Sequence, residues 1–87
     1  MAEGIKDVAH VFRTQERAYC EMKEWIYEHE EEILKVDKVK MCVTCRNGYK
    51  HHFMGYFSYD SWCMGRTYLM DGGDVFRSGY FLCKGGD

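Results

Sequence analysis

No proline occurs among the 87 residues, so nothing marks a rigid linker or a built-in helix stop. No apolar run approaches the roughly 20 residues that cross a bilayer, and the amino terminus lacks the basic-then-apolar pattern of an export signal. These absences lead to the expectation of a cytoplasmic chain, used as synthesised, with no membrane partner. The sequence also has no glycine-rich phosphate loop, no nucleophile motif and no Ser-His-Asp grouping that spacing supports. Neither an enzyme nor a cofactor is expected. The one enzymatic alternative is a thiol, Cys20 or Cys63, meeting a histidine in space.

What the chain does contain is one domain's worth of residues, 46% hydrophobic, 30% charged and 16% aromatic. Its net charge of −2 hides a division. Residues 1–37 hold ten acids and five bases, a net of −5, and residues 38–87 hold seven bases and four acids, a net of +3. The first part is acidic and the second mildly basic, so the overall charge names no partner while each half suits a different one.

Ile5, Phe12, Tyr19, Ile26 and Ile33 fall seven residues apart, with Val8, Met22 and Val36 at the intervening spacing. That repeat predicts one long amphipathic helix over residues 5–36, widened by Val11, Ala18 and Trp25. At 1.5 Å per residue it would measure roughly 48 Å, longer than the roughly 30 Å of a strand beneath it. The overhang suggests a homodimer through the projecting seam. Thr14 is an alternative helix cap, but Arg17 stands where a capping box needs Glu or Gln. On the outer face Glu21, Glu24, Glu28 and Glu31 recur every three or four residues and form a carboxylate stripe. Arg17 is placed to answer Glu21, and Lys35 to answer Glu31.

Past residue 37 the pattern changes. Val39, Met41, Val43 and Cys45 alternate with polar neighbours, the period of a half-buried strand, and Asn47-Gly48 follows as a hairpin turn. A second strand is predicted over 49–58, pairing Val43 with His52, Thr44 with His51 and Cys42 with Phe53. After a loop at Ser58–Ser61, a second hairpin runs over 62–70 and 75–84, turning at Asp71-Gly-Gly-Asp74. Gly65 and Gly79 read as bulges, and 85–87 as a frayed tail. The expected fold is therefore α+β in a single domain: one long helix (residues 1–37) on a four-stranded antiparallel sheet of two hairpins (38–84).

Cys42-Val-Thr-Cys45 has zinc-knuckle spacing, and Cys63 and Cys83 would complete four sulfur ligands. Residues three apart on a strand face opposite ways, however, and the odd cysteine count fits free thiols better. For the same reason the pleat separates His51 from His52. Asp71-Gly-Gly-Asp74 lacks the spaced oxygen ligands of a calcium loop and reads as a plain turn. Ten of the 14 aromatics, Tyr59 and Trp62 among them, lie beyond residue 37.

Two functions compete. The leading expectation is a non-enzymatic inhibitor or regulator that binds another protein. Its surface would be Glu21, Glu24, Glu28 and Glu31, with Tyr59 and Trp62 as aromatic anchors. Carboxylates in a row suit lysines and arginines that otherwise hold phosphates, so the natural target is a nucleic-acid-handling enzyme. In size and charge alone the chain is similar to the small acidic phage proteins that inhibit host defence, such as the anti-CRISPR proteins; no motif carries that likeness. The alternative is a nucleic-acid-binding domain whose basic, aromatic sheet uses Lys40, Arg46 and Lys50, with or without a Cys/His zinc site. A solvated face and an ordinary aromatic core are the plain readings of the same residues.

Overall fold

The computed structural model describes residues 6–73 and 81–84, with 71–73 and 81–84 described by their backbone alone. In chain order these are β1 (Asp7–Phe12), α1 (Gln15–Glu28), a single 3-10 turn (Glu30–Glu32), β2 (Ile33–Asp37), β3 (Cys42–Cys45), β4 (Lys50–Gly55), α2 (Tyr56–Trp62), β5 (Thr67–Gly73) and β6 (Phe81–Lys84). The sheet runs β2-β3-β4-β1-β5, with β6 bonded outside β5. Central β1 is parallel to both β4 and β5, while the β2–β3, β3–β4 and β5–β6 pairs are antiparallel. The class is α+β, but the sheet is mixed rather than a purely antiparallel set of four.

The long helix is the main correction. Its seven-residue repeat joins three separate elements. Asp7–Phe12 is a strand whose residues from Val8 to Phe12 are all buried, because helices cover its two faces. Such a strand needs a continuous apolar run, not an alternating one. Thr14 then starts α1: extended at φ −133° and ψ 161°, it accepts a hydrogen bond from Arg17 N–H at 3.1 Å through Oγ1. Half of a capping box suffices. At 14 residues α1 measures about 21 Å and fits over the sheet, which removes the overhang that had suggested a homodimer.

The connections decide where the helices lie. The chain passes from β1 to β4 by way of α1 and the β2–β3 hairpin, then returns from β4 past β1 to β5 by way of α2. Right-handed crossovers running in opposite directions put their helices on opposite faces. Packing agrees. On one face Ala18 and Met22 of α1 meet Phe12, Val43 and Phe53, with Trp25 and Ile26 at the margin. On the other, Tyr59 and Trp62 of α2 pack against Ala9, Val11, Met54, Tyr68 and Met70.

Both hairpins near β3 depart from the expected alternation. Residues 38–41 are a loop in which Asp37 Oδ1 accepts from Val39 N–H and Lys40 N–H at 3.1 and 3.0 Å, leaving Val39 95% exposed. At Asn47-Gly48 the loop has three residues: Gly48 N–H donates to Cys45 O, Cys45 N–H donates to Tyr49 O, and Gly48 takes φ +93°. The added residue shifts the register by one, so Cys42 pairs with His52, Val43 with His51 and Thr44 with Lys50. Beyond β4 the expected strand end and loop are helix α2. Asp71–Gly73, expected in a turn, continue β5. Asp74, Val75, Phe76, Arg77, Gly79, Tyr80, the 85–87 tail and Ile5 lie outside the described residues.

Candidate functional site

The outer side of α1 keeps three of the four carboxylates of the stripe. Arg17 pairs with Glu21 at 3.3 Å, as its spacing implied. Glu24 and Glu28 are exposed one turn apart and line a shallow depression of about 480 Å³ with Cys20, Lys23 and Tyr27. Tyr27 is 81% exposed. Lys23 Nζ sits 5.1 Å from the Tyr19 ring centre. The fourth carboxylate leaves the stripe: α1 ends at Glu28, and Glu31 belongs to the 3-10 turn, where its backbone carbonyl accepts from Arg46 Nε at 3.2 Å. The last turn of α1 holds no base, and Glu30–Glu32 follow at once. Carboxylates at a helix carboxyl end oppose its dipole, at a cost of about 0.3–1 kcal/mol each when exposed.

Tyr59 and Trp62 do not join this surface. They are half-buried beneath α2 on the opposite face, where the Tyr59 and Tyr68 hydroxyls share a hydrogen bond. The exposed aromatic beside the glutamates is Tyr27. Its i,i+3 and i,i+1 spacing from Glu24 and Glu28 was visible in the sequence, but it was hidden by the repeat that drew the seam elsewhere.

The opposite face carries a built groove. Helix α2 covers β1 and β5 but leaves β2, β3 and the start of β4 open on that side. The result is a hollow of about 730 Å³ whose lining includes Lys35, Lys40, Lys50, Arg66, Asp7 and His52. Lys35, expected to answer Glu31, is thus a strand residue pointing the other way. His52 Nε2 lies 2.9 Å from Asp7 Oδ1. A carboxylate oxygen only accepts, so Nε2 carries the hydrogen. Burial pulls the His52 pKa below its ordinary value, and the bond to Asp7 opposes that shift. Trp62 stands 5.0 Å from the His52 ring, and the Arg66 guanidinium lies over the indole at 4.6 Å. Lys40 and Lys50 share this groove, whereas Arg46 sits with the 3-10 turn and is not part of it.

The cysteines are dispersed by the pleat. Cys42 is half-buried in the groove, and burial raises its thiol pKa against the opposing pull of Lys50. Cys45 is buried on the α1 side and its pKa is also raised by burial. Cys63 Sγ contacts Asp60 O at 3.6 Å at the end of α2. Cys83 falls on β6, where only the backbone is described. Among the described residues no group of three or more His, Cys, Asp or Glu side chains is placed to hold a metal ion.

The sequence did not reveal the buried histidine pair. His10 of β1 and His51 of β4 meet at Nε2 and Nδ1, 2.9 Å apart, between the sheet and α1. His10 stacks on Phe53 at 4.4 Å, and Trp25 covers His51 at 4.5 Å while stacking on His29 at 4.1 Å. Desolvation lowers the pKa of His10 to about 3 and of His51 to about 4, with further lowering from neighbouring histidines. Both rings are neutral near pH 7, one donating and the other accepting. This is a structural pair, and the only trace of it in sequence was a histidine inside the apolar run of β1. No protein-family model, curated protein or solved structure matches the chain, so these two opposed surfaces are what its function has to be read from.

Proposed function

We propose that the chain is a non-enzymatic binding protein that inhibits or regulates a nucleic-acid-handling enzyme by occupying its phosphate-holding surface with the outer face of α1. The observation that carries this reading is Tyr27, 81% exposed between Glu24 and Glu28 in one shallow depression. A tyrosine supplies a large, stiff contact area with a polar tip, the kind of residue on which interfaces concentrate their binding energy. Glu24 and Glu28 flank it with charges suited to lysine and arginine.

The arrangement is electrostatically costly in the free chain. Glu24 and Glu28 repel at i,i+4 by about 0.2–0.5 kcal/mol, and the glutamates past the helix end oppose its dipole. A basic partner surface would relieve both. The partner class follows from that chemistry, since basic surfaces with room for a row of carboxylates are those that otherwise bind phosphates.

The test compares immobilised wild type with Glu24→Lys/Glu28→Lys and with Tyr27→Ala in nuclease-treated cell extract, all matched by circular dichroism. The expected result is capture of nucleic-acid-binding proteins that both variants lose and that added duplex DNA displaces. Capture that survives charge reversal, or that DNA does not displace, overturns the reading.

A further inference from the structure

We infer that the groove on the opposite face binds single-stranded nucleic acid through its phosphates. The inference does not depend on docking through α1, because the two surfaces lie on different sides of the sheet.

The charges are the first argument. In a chain of net charge −2, Lys35, Lys40, Lys50 and Arg66 converge on one hollow. The two aspartates beside them are engaged internally: Asp37 Oδ1 takes two backbone N–H groups and Asp7 Oδ1 takes His52. Among the described residues no carboxylate forms an ion pair with any of the four cations. Four cations against two carboxylates leave the concavity with an excess of positive charge, a focused field for a polyanion.

Arg66 gives the second argument. Its guanidinium carbon lies over the Trp62 ring, 4.6 Å from the centroid, a cation–π contact that restrains the side chain of a residue able to grip phosphate oxygens in pairs. Trp62 is in turn braced by His52 and Tyr68 at 5.0 and 4.9 Å. A mobile surface arginine would lack this support.

Position and size narrow the ligand. One end of the groove is lined by Gln15 and Ser58, just beyond the carboxyl ends of β1 and β4. Connections leave those adjacent parallel strands toward opposite faces, the place where open sheets of this kind receive ligands. Gln15 Oε1 accepts there from Gly55 N–H at 3.1 Å and Ser58 Oγ at 3.3 Å, closing that end. A hollow of about 730 Å³ is within the size range of ligand pockets and suits a few nucleotides of a single strand. Four cations call for more than one phosphate.

The measurement is fluorescence anisotropy with a labelled oligothymidylate of about twelve nucleotides. Binding by the wild type should weaken with a log–log salt slope of about −2 to −3 between roughly 50 and 200 mM, as three or four phosphate contacts dictate. Lys40→Glu/Lys50→Glu, both at exposed positions, should lose at least about tenfold in affinity and reduce that slope by about 1.4. Arg66→Lys should weaken binding with a smaller change of slope, since charge is kept and the paired donors are lost. Arg46→Glu, outside the groove, and Glu24→Lys/Glu28→Lys, on α1, should not reproduce the groove variant's loss. Failure of the wild type to bind, equal binding of a duplex, full displacement by equimolar pyrophosphate, or an equal loss from Arg46→Glu would each overturn the assignment. Loss of partner capture with oligothymidylate binding intact would instead isolate failure to the α1 surface.

Discussion

Lowering the pH from 7 to 5 should destabilise the fold by several kcal/mol, and the buried histidine pair should be the cause. His10 and His51 titrate near 6.5 when unfolded but only at about 3 and about 4 in the folded chain. Where a folded pKa is depressed, the unfolded state takes protons first, so stability is lost as pH falls below 6.5 toward those folded values. At pH 5 an unfolded histidine gains about 2 kcal/mol from protonation while the folded rings gain almost nothing, a total of about 4 kcal/mol. At pH 7 the same sum is about 0.3 kcal/mol. Should the pair accept one proton shared along its 2.9 Å bond, about half of the effect remains. His52, also depressed by burial, acts in the same direction.

A loss of that size is a large part of the roughly 5–15 kcal/mol that holds a small domain folded. Most carboxylates stay ionised down to pH 5, so the interval isolates histidines from ordinary acid denaturation. Urea titrations at pH 7, 6 and 5, followed by far-ultraviolet circular dichroism, measure it directly. His51→Gln preserves a hydrogen-bonding partner for His10 but removes one titrating ring, and should cut the pH dependence by about half. A decrease under about 1 kcal/mol between pH 7 and 5, or an unchanged slope in His51→Gln, would refute the reasoning.

Two further substitutions test how α1 is attached. Gly55→Ala should cost about 1–3 kcal/mol in the same titration, because its Cβ would lie 2.8 Å from Gln15 N and 2.9 Å from Thr14 C, backbone atoms that cannot swing aside. Thr14→Ala should cost about 1 kcal/mol through loss of the hydroxyl that caps Arg17 N–H, and Thr14→Ser should recover most of it.

The parts of the fold legible in sequence were those set by local chemistry. The turn at Asn47-Gly48, the separation of His51 from His52 and the Arg17–Glu21 pair all follow from spacing over a few residues. The long helix was misread because a seven-residue repeat cannot distinguish one continuous helix from strand, helix and strand laid end to end. Val8 to Phe12 is nearly continuous in apolar character, and its burial on both faces depends on helices placed by long-range crossovers. The one-residue register error arose where Gly48 adopts a left-handed conformation and enlarges the loop. The groove was out of reach for a related reason: Asp7 and His52 are 45 residues apart and meet only because β1 lies parallel to β4. Lys40 and Lys50 could be singled out by charge, but their separation from Arg46 is a property of the loop geometry.

The acidic and basic surfaces are kept apart by the same rule that shapes the sheet. Along β4, His51 and Phe53 point toward α1 while His52 and Met54 point toward α2 and the groove. Along β3, Val43 and Cys45 are buried on the first side while Cys42 and Thr44 line the second. Two crossovers in opposite directions require a helix on each face, and α2, at seven residues, is too short to cover all of its side. The strands it leaves open are therefore the ones whose outward residues must be polar; Lys35 and Lys50 supply them, with Lys40 on the loop that joins β2 to β3. On the first face the longer α1 spans the core, so its own outer side becomes the surface and its glutamates set the sign. A ligand on one surface leaves the other accessible, which makes simultaneous occupancy by a basic partner and an anionic strand geometrically permitted.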